Sequence, residues 1–257
     1  MAELPDLTVF SQILTRKFQG KELLRLDVSV AKKLNVAVAE LKKTLEGKTL
    51  RSVAREGKTL QFHFSGGQTL GLHLMLRGEL VEIDQKEEPR FQILAFHFEK
   101  GRGFAVIDLQ KQATATLQPE PVKVPDALAI AKAEFLALLS RKRTVIKTLL
   151  MDQKLLRGVG NSYADEILYH AHISPFSVAK SIPPKAADRL YRSISHVLVH
   201  AIEAIAGANG DELTGELKDF LIVHGAKIKE TPKGEPIRSG KIGGRTTYYT
   251  DAQELFI

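Results

Sequence analysis

Hydrophobic and polar positions alternate through much of the first half of the chain. Thr59-Leu60-Gln61-Phe62-His63-Phe64 has the two-residue period of a strand, Gly66-Gly67 offers a turn, and the alternation resumes over residues 69–76. Together they form the pattern of a β-hairpin. Residues 92–98 set Leu94, Phe96 and Phe98 on one face, residues 99–103 make a polar turn, and residues 104–109 return as a strand. Two stretches with apolar residues at helical spacing interrupt this β region, at residues 7–18 and 38–45.

Three prolines within residues 118–125 stop regular structure and suit a linker. Beyond them the period becomes helical, over residues 127–139, 144–152, 161–171, 184–205 and 213–223. The last stretch is rich in Gly, Lys and Thr and predicts a small hairpin, with its turn at Gly243-Gly244 and a strand over residues 245–250. No internal repeat or low-complexity segment is evident. The expected domains are therefore 1–117, a linker at 118–125, a helical domain at 126–223 and a terminal hairpin at 224–257.

Composition narrows the chemistry. The 257 residues include 44% hydrophobic and 26% charged positions, which suits one or two folded domains. There is no cysteine, so disulfides, thiolate-bound zinc, iron–sulfur clusters and thiol nucleophiles are excluded. No apolar run approaches the roughly 18 residues of a membrane span. Early acids and no basic n-region argue against a signal peptide, and a cytoplasmic address is the expectation. Lys plus Arg number 37 against 30 acids, a net charge of +7. That favours an anionic partner, though the charge is spread evenly and also fits an ordinary basic enzyme.

The most informative stretch runs from Leu149 to Leu168. A helix is predicted to end near Asp152, two turns containing Gly158 and Gly160 follow, and a new helix starts at Asn161. Glycines let a backbone approach a ligand, and a helix N-terminus offers unpaired N–H groups with partial positive charge, so the pair suits a phosphate. A plain helical hairpin with an Asn cap fits equally.

The run Gly158-Val159-Gly160-Asn161-Ser162-Tyr163-Ala164-Asp165-Glu166 resembles the helix–two-turn–helix of the formamidopyrimidine-DNA glycosylase / endonuclease VIII family. The resemblance continues in order through Ala2-Glu3-Leu4-Pro5, Gly57-Lys58, His73-Leu74-Met75-Leu76-Arg77-Gly78, Pro119-Glu120-Pro121, Lys218-Asp219-Phe220 and Gly234-Glu235-Pro236. It implies an α+β fold: an N-terminal β-sandwich with flanking helices, a helix–two-turn–helix domain and a C-terminal β-hairpin finger. It also implies base excision at damaged bases followed by strand cleavage at the abasic sugar. In that chemistry a neutral amine attacks C1′ of the deoxyribose, expels the base and leaves an imine, which activates β-elimination. An α-amine, with a pKa of roughly 7.7–8.0, is partly neutral at pH 7 without tuning.

The same resemblance assigns expected roles. Ala2 stands where the family has a nucleophilic proline, and its amine serves only once Met1 is removed. Glu3 matches the catalytic acid, and Asp6 stands where the family has a second acid. Lys58 matches a lysine that binds the phosphate beside the lesion. Lys154, Gly158, Gly160 and Asn161 match phosphate contacts around the two turns, and Arg245 matches the finger arginine. Arg141, Lys142, Arg143 and Lys147 form a basic cluster that either lines the groove or is a solvated helix start.

Two further departures stand out. The four zinc-binding cysteines are replaced by Ile237, Gly240, Thr250 and Gln253, which predicts a zincless finger supported by Tyr248 and Tyr249. Neither metal nor cofactor is expected. The three side chains that fill the hole left by a flipped base become Leu76, Gln110 and Gln112, with Lys111 keeping a charge. Weaker filling shifts the expected substrate toward distorted, branched or single-stranded DNA. The leading expectation is a monomeric DNA glycosylase and abasic-site lyase, nucleoid-associated in a bacterium. The alternative is a catalytically impaired DNA lesion- or structure-binding protein on the same scaffold.

Overall fold

The computed structural model describes residues 1–84, 88–213 and 216–257. It divides into two compact units, one of residues 1–122 with 205–217, the other of 123–204 with 218–257.

The first unit opens with helix α1 (Leu4–Phe18), followed by β1 (Leu23–Val28), α2 (Val38–Leu45), β2 (Leu50–Glu56), β3 (Thr59–Phe64), β4 (Thr69–His73), β5 (Glu79–Asp84), β6 (Gln92–Phe98), β7 (Arg102–Ile107) and β8 (Thr114–Leu117). The strands form two antiparallel four-stranded sheets, ordered β1-β6-β7-β5 and β2-β3-β4-β8. Both expected hairpins are present, with Phe62 opposite Leu70 and Phe96 opposite Phe104. The alternating aromatics join the sheets. Phe62 of one sheet stacks on Phe96 and Phe104 of the other at centroid distances of 5.7 and 5.5 Å, and Phe18 of α1 meets Phe98 at 4.8 Å. These rings are fully buried. Helix α1 is fastened to β2 through Thr15, whose hydroxyl accepts from Val53 N and donates to Val53 O.

The second unit contains α3 (Lys132–Arg141), α4 (Ile146–Met151), α5 (Asn161–His170), most of α6 (Pro184–Asn209) and the hairpin β9 (Ile237–Ile242) with β10 (Arg245–Thr250). The hairpin turns at Gly243-Gly244 as expected, both in the left-handed region that a tight turn requires.

Several boundaries differ, each for a local reason. Helix α1 starts three residues early because Glu3 and Asp6 form a reciprocal capping box. The strand expected over 69–76 ends at His73, since Met75 is left-handed. The strand expected to reach Leu109 stops at Ile107, where Asp108 collects the following backbone N–H groups. The helix expected from 127 begins at Lys132, because Ala127 N–H donates to Arg157 O instead. The helix expected over 213–223 is absent from residues 216–223; residues 214–215 lie outside the described residues. Strands β1, β2, β5 and β8 carry weak alternation and are recruited by pairing with stronger neighbours. No helix among the described residues is long and apolar enough to cross a membrane.

Phe104 contacts the rings of Phe18, Phe62, Phe96 and Phe98. Phe104→Ala is expected to destabilise the first unit by roughly 3–5 kcal/mol, read by urea unfolding.

Candidate functional site

In the first unit, the amino terminus and two loops enclose a cavity of about 730 Å³, whose lining includes Met1, Leu76, Arg77, Asp108, Leu109 and Glu216. The α-ammonium of Met1 pairs with the Glu216 carboxylate. Ala2 and Glu3, next in the chain, are buried at 5% and 3% exposed. Glu3 caps α1: its carboxylate accepts the Asp6 N–H, and its own N–H donates to Asp6 Oδ2 at 2.9 Å. A carboxylate at this end of a helix faces the positive pole of the backbone dipoles. Asp6 is thereby placed as a structural partner of Glu3.

Leu76 projects from the loop after β4, 60% exposed. Histidine 73, to which sequence reasoning assigned no role, holds this loop: Met75 N–H donates to His73 Nδ1 at 2.9 Å. Burial, and then the nearby Lys58 ammonium, lower the His73 pKa from its ordinary value. Lys58 itself follows Gly57, whose left-handed backbone closes the β2–β3 turn. Arg55 braces that turn by donating to Gly57 O at 3.1 Å and to Thr8 Oγ1 at 2.9 Å.

The second loop is organised by Asp108, which is 1% exposed. Its carboxylate accepts the N–H groups of Gln110, Gln112 and Ala113 at 2.8, 2.7 and 2.9 Å. Gln110 and Lys111 stand exposed at the tip, Lys111 in a left-handed conformation. Gln112 is folded back: Nε2 donates to Gln110 O and Oε1 accepts from Lys33 Nζ, each at 3.2 Å. An Asp followed by its own loop amides is a familiar turn-former, so the bracing was detectable in the sequence.

The second unit assembles the two-turn segment. Gln153 clamps it, accepting Gly158 N–H at 2.9 Å and donating to Met151 O and Val159 O. Gly158 is left-handed at φ 104°, whereas Gly160 is extended and serves as the α5 N-cap. Asn161 is thus the first helical residue and not the cap. Its Nδ2 donates to Thr246 O at 3.1 Å, joining the turn to β10, and leaves a second amide hydrogen for another acceptor. Lys154 and Arg245 are exposed.

Lys147 corrects the expectation of a basic surface cluster. It is fully buried, with Nζ 2.7 Å from Asp165 Oδ1 and 2.8 Å from Thr247 Oγ1. The other Asp165 oxygen accepts Tyr248 N–H at 3.0 Å and meets His224 Nδ1 at 2.7 Å. Helices α4 and α5 and the hairpin therefore share one carboxylate. Glu166 beside it accepts the N–H groups of Ile222, Val223 and His224 at 2.8–3.0 Å. That use of three backbone donors is why this segment is not helical. Burial pushes the Glu166 carboxyl up, opposed by those same donors.

Zinc does not fit the finger. Ile237, Gly240, Thr250 and Gln253 offer neither thiolate nor imidazole, and no metal-holding cluster exists among the described residues. Gln253 instead ties the hairpin to the unit, accepting Thr250 N–H and donating to Ile173 O, both at 2.8 Å. The Phe176 ring seats against Gly240, where a Cβ would come within 3.0 Å of it, and meets Tyr249 edge-on at 5.2 Å. Tyr248 packs edge-on against His224 at 5.1 Å. Both expected tyrosine supports are in place.

Two expectations follow. Lys147→Met leaves the buried Asp165 carboxylate without its ammonium partner, so a loss of about 3–5 kcal/mol is expected, with partial recovery in Lys147→Met/Asp165→Leu; thermal unfolding and proteolysis of the hairpin measure it. For His73, the folded protein favours the neutral ring. Its stabilisation is fully present above the ordinary value of 6.5 and is lost as pH falls below it toward the lowered folded value. NMR titration should find His73 protonating below 6.5, with the Met75 amide shifting in step.

Residues 1–115 match the formamidopyrimidine-DNA glycosylase N-terminal domain, and residues 117–211 match the formamidopyrimidine-DNA glycosylase H2TH domain. A formamidopyrimidine-DNA glycosylase of Pelotomaculum thermopropionicum is 31% identical over 268 residues, covering 97% of both chains. One from Carboxydothermus hydrogenoformans is 32% identical, covering 79% of this chain and 78% of its own. The fold matches that of Lactococcus lactis Fpg complexed with DNA containing an abasic site, with a TM-score of 0.89 at 24% identity, covering 98% of this chain and all of the other.

Proposed function

Because this chain belongs to the formamidopyrimidine-DNA glycosylase family, we propose that it is a DNA repair glycosylase and abasic-site lyase whose nucleophile is the Ala2 amine, exposed by removal of Met1. The observation that carries this reading is the cavity formed where the amino terminus meets the Leu76 and Asp108 loops. Met1 and Leu76 line it, and the next two residues of the chain, Ala2 and Glu3, are buried at the start of α1.

The chemistry follows from these groups. The neutral Ala2 amine attacks C1′, and the bond from C1′ to the damaged base breaks, the base leaving with the electron pair and gaining a proton. Glu3, held at the α1 N-terminus, protonates the ring oxygen as the C1′–O4′ bond opens. The amine loses its proton and a C1′ imine results. Loss of a proton from C2′ then expels the 3′ phosphate, and water hydrolyses the imine to free the enzyme. At an abasic site the amine condenses with the C1′ aldehyde of the opened sugar, the carbonyl oxygen leaves as water, and the same imine results.

Lys58 contacts the phosphate beside the lesion. Asn161, through its remaining amide hydrogen, takes another phosphate with the amides around Gly158 and Gly160. Lys154 and Arg245 add charge along the strand. Gln110 and Lys111 meet the DNA at the tip of the Asp108 loop. DNA as substrate places the protein with the nucleoid in the cytoplasm.

Borohydride trapping tests this directly. Protein with a mass-verified Ala2 terminus should form a covalent adduct with abasic DNA, and Glu3→Gln should slow base excision about a hundredfold or more. DNA binding without any adduct would overturn the lyase reading in favour of a lesion-binding protein.

A further inference from the structure

Leu76, Leu109 and Phe91 are large apolar side chains left 60%, 61% and 37% exposed, and all three line the cavity at the amino terminus. Each belongs to a stiff loop. Left-handed residues rarely carry side chains, yet Met75, Phe91 and Lys111 all adopt that conformation here. The Leu109 loop is closed by three hydrogen bonds to Asp108, and Asp108 N–H donates to Phe91 O at 2.9 Å. Rigid presentation of an apolar side chain to solvent implies something to receive it. Meanwhile Gln112, at the aromatic wedge position, is folded back onto Gln110 O and Lys33.

Resting on the reading of this chain as a DNA repair glycosylase, we propose that Leu109 is the second wedge, entering the stack beside Leu76 when a nucleotide leaves the duplex. The opening left by a flipped nucleotide is bounded by base faces, and unstacking costs a few kcal/mol that apolar contact offsets. A leucine supplies that contact, whereas a glutamine brings polar atoms that the gap between bases leaves without partners. Leu109 therefore selects for lesions in duplex DNA, where there is a hole to fill, and contributes little on a single strand.

The test uses a duplex carrying a stable abasic analogue with 2-aminopurine opposite it. Leu109→Ala should lose about tenfold in affinity for this duplex, the change expected from withdrawing one leucine from apolar contact. It should also lose most of the 2-aminopurine fluorescence change, while binding the abasic single strand as wild type does. Leu24→Ala, an equally conspicuous exposed leucine outside the cavity, should match wild type throughout. A Leu109→Ala protein that behaves as wild type on the duplex overturns the proposal, as does equal weakening on abasic duplex, intact duplex and single strand. If wild-type protein itself fails to prefer abasic over intact duplex, the repair reading falls and takes the wedge with it.

Discussion

A lysine with no exposed surface requires a fixed counter-charge, and in the second unit that requirement organises everything around Asp165. Its two oxygens hold Lys147 from α4, and His224 and the Tyr248 amide from the region that follows. Removing an ammonium and a carboxylate from water is costly, so the pair is stable only in one closely satisfied geometry. The position of the hairpin on α5 is therefore specified by charge. Gln253 and the Phe176–Tyr249 contact add hydrogen bonds and ring packing.

The same device recurs at smaller scale. Asp108 and Glu166 each gather three backbone N–H groups, and Gln153 clamps the two-turn segment from both sides. In each case a polar side chain, buried at Asp108 and Glu166 and half-buried at Gln153, satisfies a loop that has no ladder or helix to satisfy it. The loop then becomes rigid enough to present its outer residues. Leu109, Gln110 and Lys111 owe their fixed display to Asp108, and Leu76 owes its own partly to His73. Exposed loop residues thus depend on acceptors that are themselves buried or half-buried.

Much of this was legible in advance. The sandwich hairpins followed from the spacing of large apolar residues such as Leu60, Phe62 and Phe64, and Leu94, Phe96 and Phe98, because a one-residue slip would turn them to the other face. The terminal hairpin followed from its Gly243-Gly244 turn, and the family from motifs spread in order along the chain. The supporting residues were less visible. Lys147 reads as one more base in a basic run, and nothing local separates it from Arg141 or Arg143. Its burial depends on Asp165 and Thr247, 18 and 100 residues away.

The sequence by itself determined the element pattern, the lack of thiolate chemistry and the residues placed at the amino terminus and the two turns, since these depend on local period, composition and order. Tertiary structure alone decided which polar side chains became internal anchors and which apolar ones stayed outside. Residues 216–223 lost their expected helix to Glu166, Gln112 turned back to Lys33, and Leu109 was left facing solvent. Those outcomes rest on hydrogen-bond competition between segments distant in sequence, in which the partner that is closest in the folded chain prevails.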